Sequence, residues 1–145
     1  MKLVRLLYGS RVNQTLTLDI VKSIVASAER RNLALSVTGF LCFDSSHFLQ
    51  ALEGDPQSVN ELYHRIARDV RHRDLNLLSY GIISQRAFPQ WSMGDADVAS
   101  LSADEREDLL PPCGFEPMQM SADQGLDLLI ALERLRTLAS ERHAL

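Results

Sequence analysis

Val37-Thr38-Gly39-Phe40-Leu41-Cys42-Phe43, Asp44-Ser45-Ser46 and His47-Phe48-Leu49-Gln50-Ala51-Leu52-Glu53 follow one another in the chain. Two apolar runs of strand length on either side of three short polar residues predict a β-hairpin. Upstream, Thr17 is suited to cap a helix and Asp19 to its positive end, and Leu18, Val21, Val25 and Ala28 recur at three- and four-residue steps. This helix is expected to end near Arg30, Arg31 and Asn32. Downstream, Asp55-Pro56 opens a second helix with an apolar stripe of Val59, Leu62, Tyr63, Ile66 and Val70.

Further outward, residues 3–9 read as a strand with Val4, Leu6 and Tyr8 on one face. A fourth strand is expected over residues 75–84, and a fifth from Trp91 to Val98 after the turn containing Pro89. The order is βαββαββ, an α+β, ferredoxin-like sandwich in which two helices cover one face of a five-stranded mixed sheet. A C-terminal helical extension follows. Ser102 to Leu110 reads as a short helix broken by Pro111-Pro112, and Asp123 to about Arg142 as a longer one. The expected division is 1–98 for the sandwich unit and 99–145 for the two-helix extension.

At 145 residues the chain has room for one core with appendages. The formal net charge of −4 opposes a nucleic-acid surface. Residues 1–97 carry 11 Lys/Arg and 10 Asp/Glu, and residues 98–145 carry 4 and 9, so the acidic excess lies in the extension. Cys42 and Cys113 form no CxxC, which indicates neither a metal site nor a disulfide scaffold. Arg5 interrupts the first apolar stretch and no segment reaches membrane-span length, so the expectation is a soluble, cytoplasmic protein with no membrane association.

Strand alternation places Gln50 on one face with Phe48 and Leu52. A buried amide without partners costs about 1–3 kcal/mol, so Gln50 is expected to serve another buried polar group or a ligand edge. Tyr8, at the end of the first strand, and Asn32, at the end of the first helix, are the candidates. Each has an ordinary reading of its own. A strand-end Tyr is commonly a core residue with its hydroxyl at the rim, and Asn tolerates left-handed geometry at a helix end. Trp91 and Met93 alternate along one expected strand and read as core filler. Arg65, Arg68, Arg71 and Arg73, with His64 and His72, read as a solvated helix end.

Together these residues resemble the BLUF family, blue-light sensors that bind a flavin non-covalently. The resemblance is carried by Arg5-Leu6-Leu7-Tyr8-Gly9-Ser10, Asn32, Val37-Thr38-Gly39-Phe40-Leu41, His47 to Gly54, Arg71-His72-Arg73-Asp74 and Phe88-Pro89-Gln90-Trp91-Ser92-Met93. Those blocks span about the first 100 residues. The extension, with Gly114-Phe115, further resembles short PixD-type members that carry no enzymatic output domain. The resemblance implies FAD between the two helices, with Tyr8, Gln50 and Asn32 at its polar edge and Arg31 near a second carbonyl. It also implies Ile24, Phe48, Leu52 and Ile66 against the ring. Arg65, Asp69, Arg71 and His72 become candidates for ribityl and phosphate contacts.

Photochemistry is then expected at Tyr8 and Gln50, with Trp91 and Met93 transmitting the change to the extension. The expected role is that of a sensor and not of an enzyme. A flavin-dependent oxidoreductase and a light-blind interaction module are the competing readings; steady-state oxidation of NADH tests the first and an absorption spectrum the second. The wide apolar spread of the last helix, Leu126 to Leu138, implies self-association. A separate, light-dependent partner, response-regulator-like by family resemblance, is expected to receive the signal.

Overall fold

The chain is described by a computed structural model covering residues 2–13 and 17–144. Met1 and Leu145, the outer limits of the two expected segments, lie outside these residues. The strands are β1 (Leu3–Val12), β2 (Thr38–Phe43), β3 (His47–Gly54), β4 (His72–Ile83) and β5 (Gly94–Asp97). The helices are α1 (Leu18–Ala34), α2 (Pro56–Ala67), α3 (Ala103–Leu109) and α4 (Ala122–Ala144), with 3-10 turns at Val98–Ser100 and Pro117–Gln119.

The sheet order is β4-β1-β3-β2-β5, antiparallel throughout except for the parallel β2–β5 pair. This is the expected ferredoxin-like arrangement. The helix starts follow the local chemistry. The Thr17 side chain accepts from the Ile20 N–H, and Asp55 accepts from the Ser58 N–H with Pro56 behind it. α1 runs beyond Asn32, and the left-handed residue that ends the turn is Ser36 (φ 55°), not Asn32.

Alternation divides the sheet into two packed faces. Val4, Leu6, Tyr8, Phe48 and Leu52 meet Val21, Val25 and Ala28 of α1 and Val59 and Leu62 of α2. On the opposite face, Leu7, Phe40, Leu49 and Ala51 meet Phe88, Phe115 and Leu128, Leu129 and Leu132 of α4. The leucines of α4 are therefore largely spent on the sheet, and the argument for self-association from this helix falls away. Leu138 remains 49% exposed.

Three strand expectations change. β4 begins at His72, so His72 and Arg73, read as part of a solvated helix end, lie in the sheet. β1 continues past Gly9 to Val12 because Ser10 and Arg11 pair with Phe48 and His47 of β3, and Val12 with His72 of β4. Tyr8 thus lies within β1 and not at its end. β5 is only Gly94–Asp97: the Trp91 N–H returns to the Phe88 carbonyl in a turn, and Val98 already belongs to the next 3-10 turn. A Cβ at Gly94 would lie 2.6 Å from the Phe40 ring, so the backbone enters the sheet where only glycine fits.

Candidate functional site

The β1–β3 register sets Tyr8 directly opposite Gln50, both pointing toward α1 and α2. The Tyr8 hydroxyl donates to Gln50 Oε1 in a short hydrogen bond. Gln50 Nε2 donates to the Met93 sulfur at 3.3 Å, so both ends of the buried amide are engaged. Asn32, 2% exposed at the last turn of α1, donates its Nδ2 to the Ser92 carbonyl at 2.7 Å. Among the described residues, its Oδ1 has no hydrogen-bond partner. Tyr8, Asn32 and Gln50 line one cleft.

That cleft is mainly apolar with a few polar groups gathered at one side, the composition common to small-molecule and cofactor sites. Ile24 and Ala28 of α1 form one wall, and Leu62 and Ile66 of α2 the other. Leu41, Phe48 and Leu52 form the sheet floor. Arg31, Asp69, Arg71 and His72 gather at the polar side.

Burial holds the Tyr8 phenol far above its ordinary pKa, with the neighbouring Tyr63 and Asp69 acting in the same direction. It is a neutral donor at physiological pH. The Tyr63 ring stands edge-on to Tyr8 with centroids 5.7 Å apart, and burial raises its pKa too. Arg71 forms a forked ion pair with Asp69, which lowers the carboxyl pKa and raises that of the guanidinium. Burial lowers the Arg31 pKa, and Arg65 and Arg71 push it the same way, so cationic groups converge near the mouth.

His72 lines the polar side of the cleft, and both of its ring nitrogens meet protein groups. Its Nε2 lies 2.6 Å from the Ile66 carbonyl and must donate there, so Nδ1 accepts from Ser10 Oγ at 2.8 Å. Both nitrogens are spent, leaving its ring edge against Tyr8 and Phe48. Arg65 lies outside the cleft, exposed on α2 beside Leu35, Glu61 and Arg68. The other expected cofactor residues, Ile24, Arg31, Phe48, Leu52, Ile66, Asp69 and Arg71, line the cleft with Tyr8, Asn32 and Gln50.

Trp91 and Met93 do not share a face as expected, because the bend before β5 turns them apart. Met93 enters the Tyr8 cluster, while Trp91 packs edge-on to Phe40 in the opposite cluster and donates Nε1 to Glu133 of α4 at 3.1 Å. Sequence reasoning missed Glu53. It is fully buried, with Oε2 accepting from Arg5 Nε at 2.8 Å and the Ala87 N–H at 2.9 Å, and Oε1 accepting from the Phe88 N–H at 2.9 Å. Arg86 adds bonds to Thr38 Oγ1 and to the Glu53 and Ser36 carbonyls. The signal was a carboxylate inside an apolar strand, the same kind that marks Gln50.

An α+β sandwich with an apolar cleft closed by an amide, a phenol and a second amide defines a domain built to hold a flat, polar-edged ligand. A family model described as sensors of blue-light using FAD matches residues 3–94. The "Blue light- and temperature-regulated antirepressor BluF" of Escherichia coli (strain K12) is 31% identical over 143 residues, covering 97% of this chain and 34% of that protein. The "Photoactivated adenylate cyclase subunit beta" of Euglena longa is 34% identical over 95 residues, covering 65% of this chain and 11% of that protein. Among solved structures, BlrB, a BLUF protein in its dark state, has a TM-score of 0.72 at 30% identity, with 97% of each chain covered. The chain belongs to the BLUF family of blue-light sensors. It spans about a third or less of the length of these two curated relatives.

The residues fit a flavin. Asn32 leaves a carbonyl oxygen for an imide N–H, Gln50 lies beside it, and the aliphatic side chains of Ile24, Leu52 and Ile66 line the same cleft.

Proposed function

We propose that this chain is a blue-light photoreceptor that holds FAD non-covalently in the cleft between α1 and α2, acting as a sensor and not as an enzyme. The observation that carries the reading is the buried series Tyr8, Gln50, Met93 beside Asn32 in an apolar cleft. Ile24, Phe48, Leu52 and Ile66 pack on the ring, Asn32 and Gln50 bind its polar edge, and Arg31, Arg71 and the outlying Arg65 attract the anionic tail. Bound flavin supplies a chromophore that becomes a strong electron acceptor when excited by blue light.

Tyr8 is the phenol placed to give up an electron, with its proton passing to Gln50 Oε1, to which it is already hydrogen-bonded. When electron and proton return, Gln50 settles with its hydrogen bonds rearranged, by rotation or by tautomerisation. A thioether sulfur accepts a hydrogen bond and cannot donate one. In the rotated form the carbonyl faces Met93 and loses the contact that the amino group made. Met93 is released, and the segment it shares with Trp91 relays the change to Glu133 on α4.

Residues 1–98 form the sensory unit in this reading and 99–145 its output cover, in the cytoplasm, with a separate response-regulator-like protein as receiver. No described helix is long and apolar enough to cross a membrane. Self-association has better support at β4, an edge strand with Leu77, Tyr80 and Ile82 exposed, than at α4. Light scattering in darkness and under blue light measures it, and a monomer in both states removes it. The decisive test of the photoreceptor reading is a visible spectrum before and after blue light. A yellow protein with a thermally reversible red shift is expected. A colourless protein that FAD fails to reconstitute overturns the proposal.

A further inference from the structure

A second hollow lies on the side of the sheet away from β4, bounded by α1, β5, α3 and α4. Its apolar floor comes from Leu18, Val21, Phe43, Leu101, Leu132 and Leu135, and Leu18 is 58% exposed, an unusual exposure for a leucine lining a concave surface. Asp95, Asp97 and Glu105 stand on the rim against Lys22 and Arg136. Arg136 is spent on Asp95, donating Nη1 to its carbonyl at 3.1 Å with Nη2 3.8 Å from its carboxylate. The rim is therefore acidic in balance, and Asp104, Glu107 and Asp108 of α3 extend that field outward against Arg106.

We infer that this groove docks an amphipathic helix of a separate protein, its apolar face on Leu18 and Leu135 and its Lys/Arg face against Asp97, Glu105 and α3. Charge complementarity sets the sign of the partner, and exposed Leu18 with half-buried Leu135 calls for an apolar face opposite its basic one. A strand added to the free edge of β5 fits less well, because Arg136 already occupies the Asp95 carbonyl such a strand would use. The groove also adjoins both ends of the relay proposed above. Asp95 to Asp97 follow Met93 within β5, and Leu132 and Arg136 flank Glu133 on α4. The inference deepens the photoreceptor reading and rests on it for light dependence.

The test is fluorescence anisotropy of a labelled amphipathic Leu/Lys helical peptide against the full flavin-loaded chain, with a scrambled peptide of the same composition. Leu18→Glu is expected to weaken binding by at least about tenfold, as losing one buried leucine contact implies. Glu105→Gln keeps the helix-capping bond and should weaken binding about two- to fivefold, as removal of one exposed charge contact implies. Leu33→Glu, at a site 74% exposed elsewhere on α1, should change nothing. Equal binding of the scrambled peptide, no binding, or insensitivity to Leu18→Glu overturns the groove. Blue light is expected to change the affinity. An intact red shift with unchanged affinity overturns its role as the output surface, whereas a missing red shift overturns the flavin reading instead.

Discussion

Glu53→Gln tests whether a single buried carboxylate holds the segment that carries Ser92 and Met93. In the native chain Oε2 receives two donors and Oε1 one, and none of the three is a water. An amide of the same shape has one oxygen. Placed at the Oε2 position, it still serves Arg5 and Ala87, but its NH2 then faces the Phe88 N–H, donor against donor. One buried N–H without an acceptor costs about 1–3 kcal/mol, and loss of the charge-assisted character of the Arg5 bond adds about 1 kcal/mol. The expected destabilisation is about 2–4 kcal/mol, a large share of the roughly 5–15 kcal/mol that holds a typical domain together. Urea unfolding followed by far-UV circular dichroism, with the fluorescence of the one tryptophan as a second probe, measures it. Because Phe88 anchors the turn leading to Trp91, the variant should also alter the thermal recovery of the light-adapted state. A loss below about 0.5 kcal/mol with unchanged recovery would refute the reasoning, since the three bonds would then contribute no more than a surface contact.

Gln50→Leu and Tyr8→Phe should each retain flavin and lose the red shift, because each removes one member of the buried pair while keeping an apolar wall; a normal photocycle in either sinks the proposed chemistry. Asn32→Ala should weaken flavin binding by about tenfold or more in a fluorescence titration, since it removes a ligand acceptor and frees the Ser92 carbonyl. Met93→Ala should preserve the red shift and change the recovery rate, with a stability loss of about 2–5 kcal/mol for truncating a buried methionine; if the shift disappears, Met93 belongs to the primary photochemistry. The raised Tyr8 pKa means that the folded chain retains a proton which the unfolded chain releases above about pH 10. Its contribution to stability is fully present below that pH and declines above it. Alkaline titration followed by phenolate absorbance and circular dichroism should show Tyr8 ionising together with unfolding, a step missing in Tyr8→Phe; ionisation of Tyr8 in the intact fold would contradict this.

The β2–β3 hairpin and the caps of α1 and α2 were legible because local chemistry and burial agree there: Asp44 accepts from the Ser46 and His47 N–H groups at the turn, and Thr17 and Asp55 cap as read. The end of β1 was not, because Gly9-Ser10-Arg11 breaks the apolar alternation while long-range pairing on both sides sustains the strand. Trp91-Ser92-Met93 mimicked a strand by alternating, and only the return of Trp91 to Phe88 shows the bend. Gln50 announced itself as a polar group among hydrophobes. The Ser92 carbonyl could not, since every residue carries the same backbone oxygen and only the fold decides which one meets Asn32. Arg65 stands outside the cleft by helix phase: Leu62 and Ile66 lie one turn apart on the cleft, and a residue immediately before Ile66 points about 100° away.

That two-sided burial constrains how a change at Gln50 travels. Successive side chains of β3 point to opposite faces, so Gln50 meets α1 and α2 while Leu49 and Ala51 meet the α4 layer. The strand itself is a closely packed wall between them, and its backbone is paired on both edges with β1 and β2. A rearranged amide therefore has little leverage through the sheet. Residues 88–93 pass around it instead, with Met93 in the Tyr8 cluster and Trp91 in the α4 cluster. Because Glu53 and Arg86 clamp one end of this segment and β5 pairing with β2 the other, the release of Met93 proposed above would be concentrated on the short span carrying Trp91. On that proposal the Trp91–Glu133 bond is the place where a small side-chain exchange would become a change in how α4 is held.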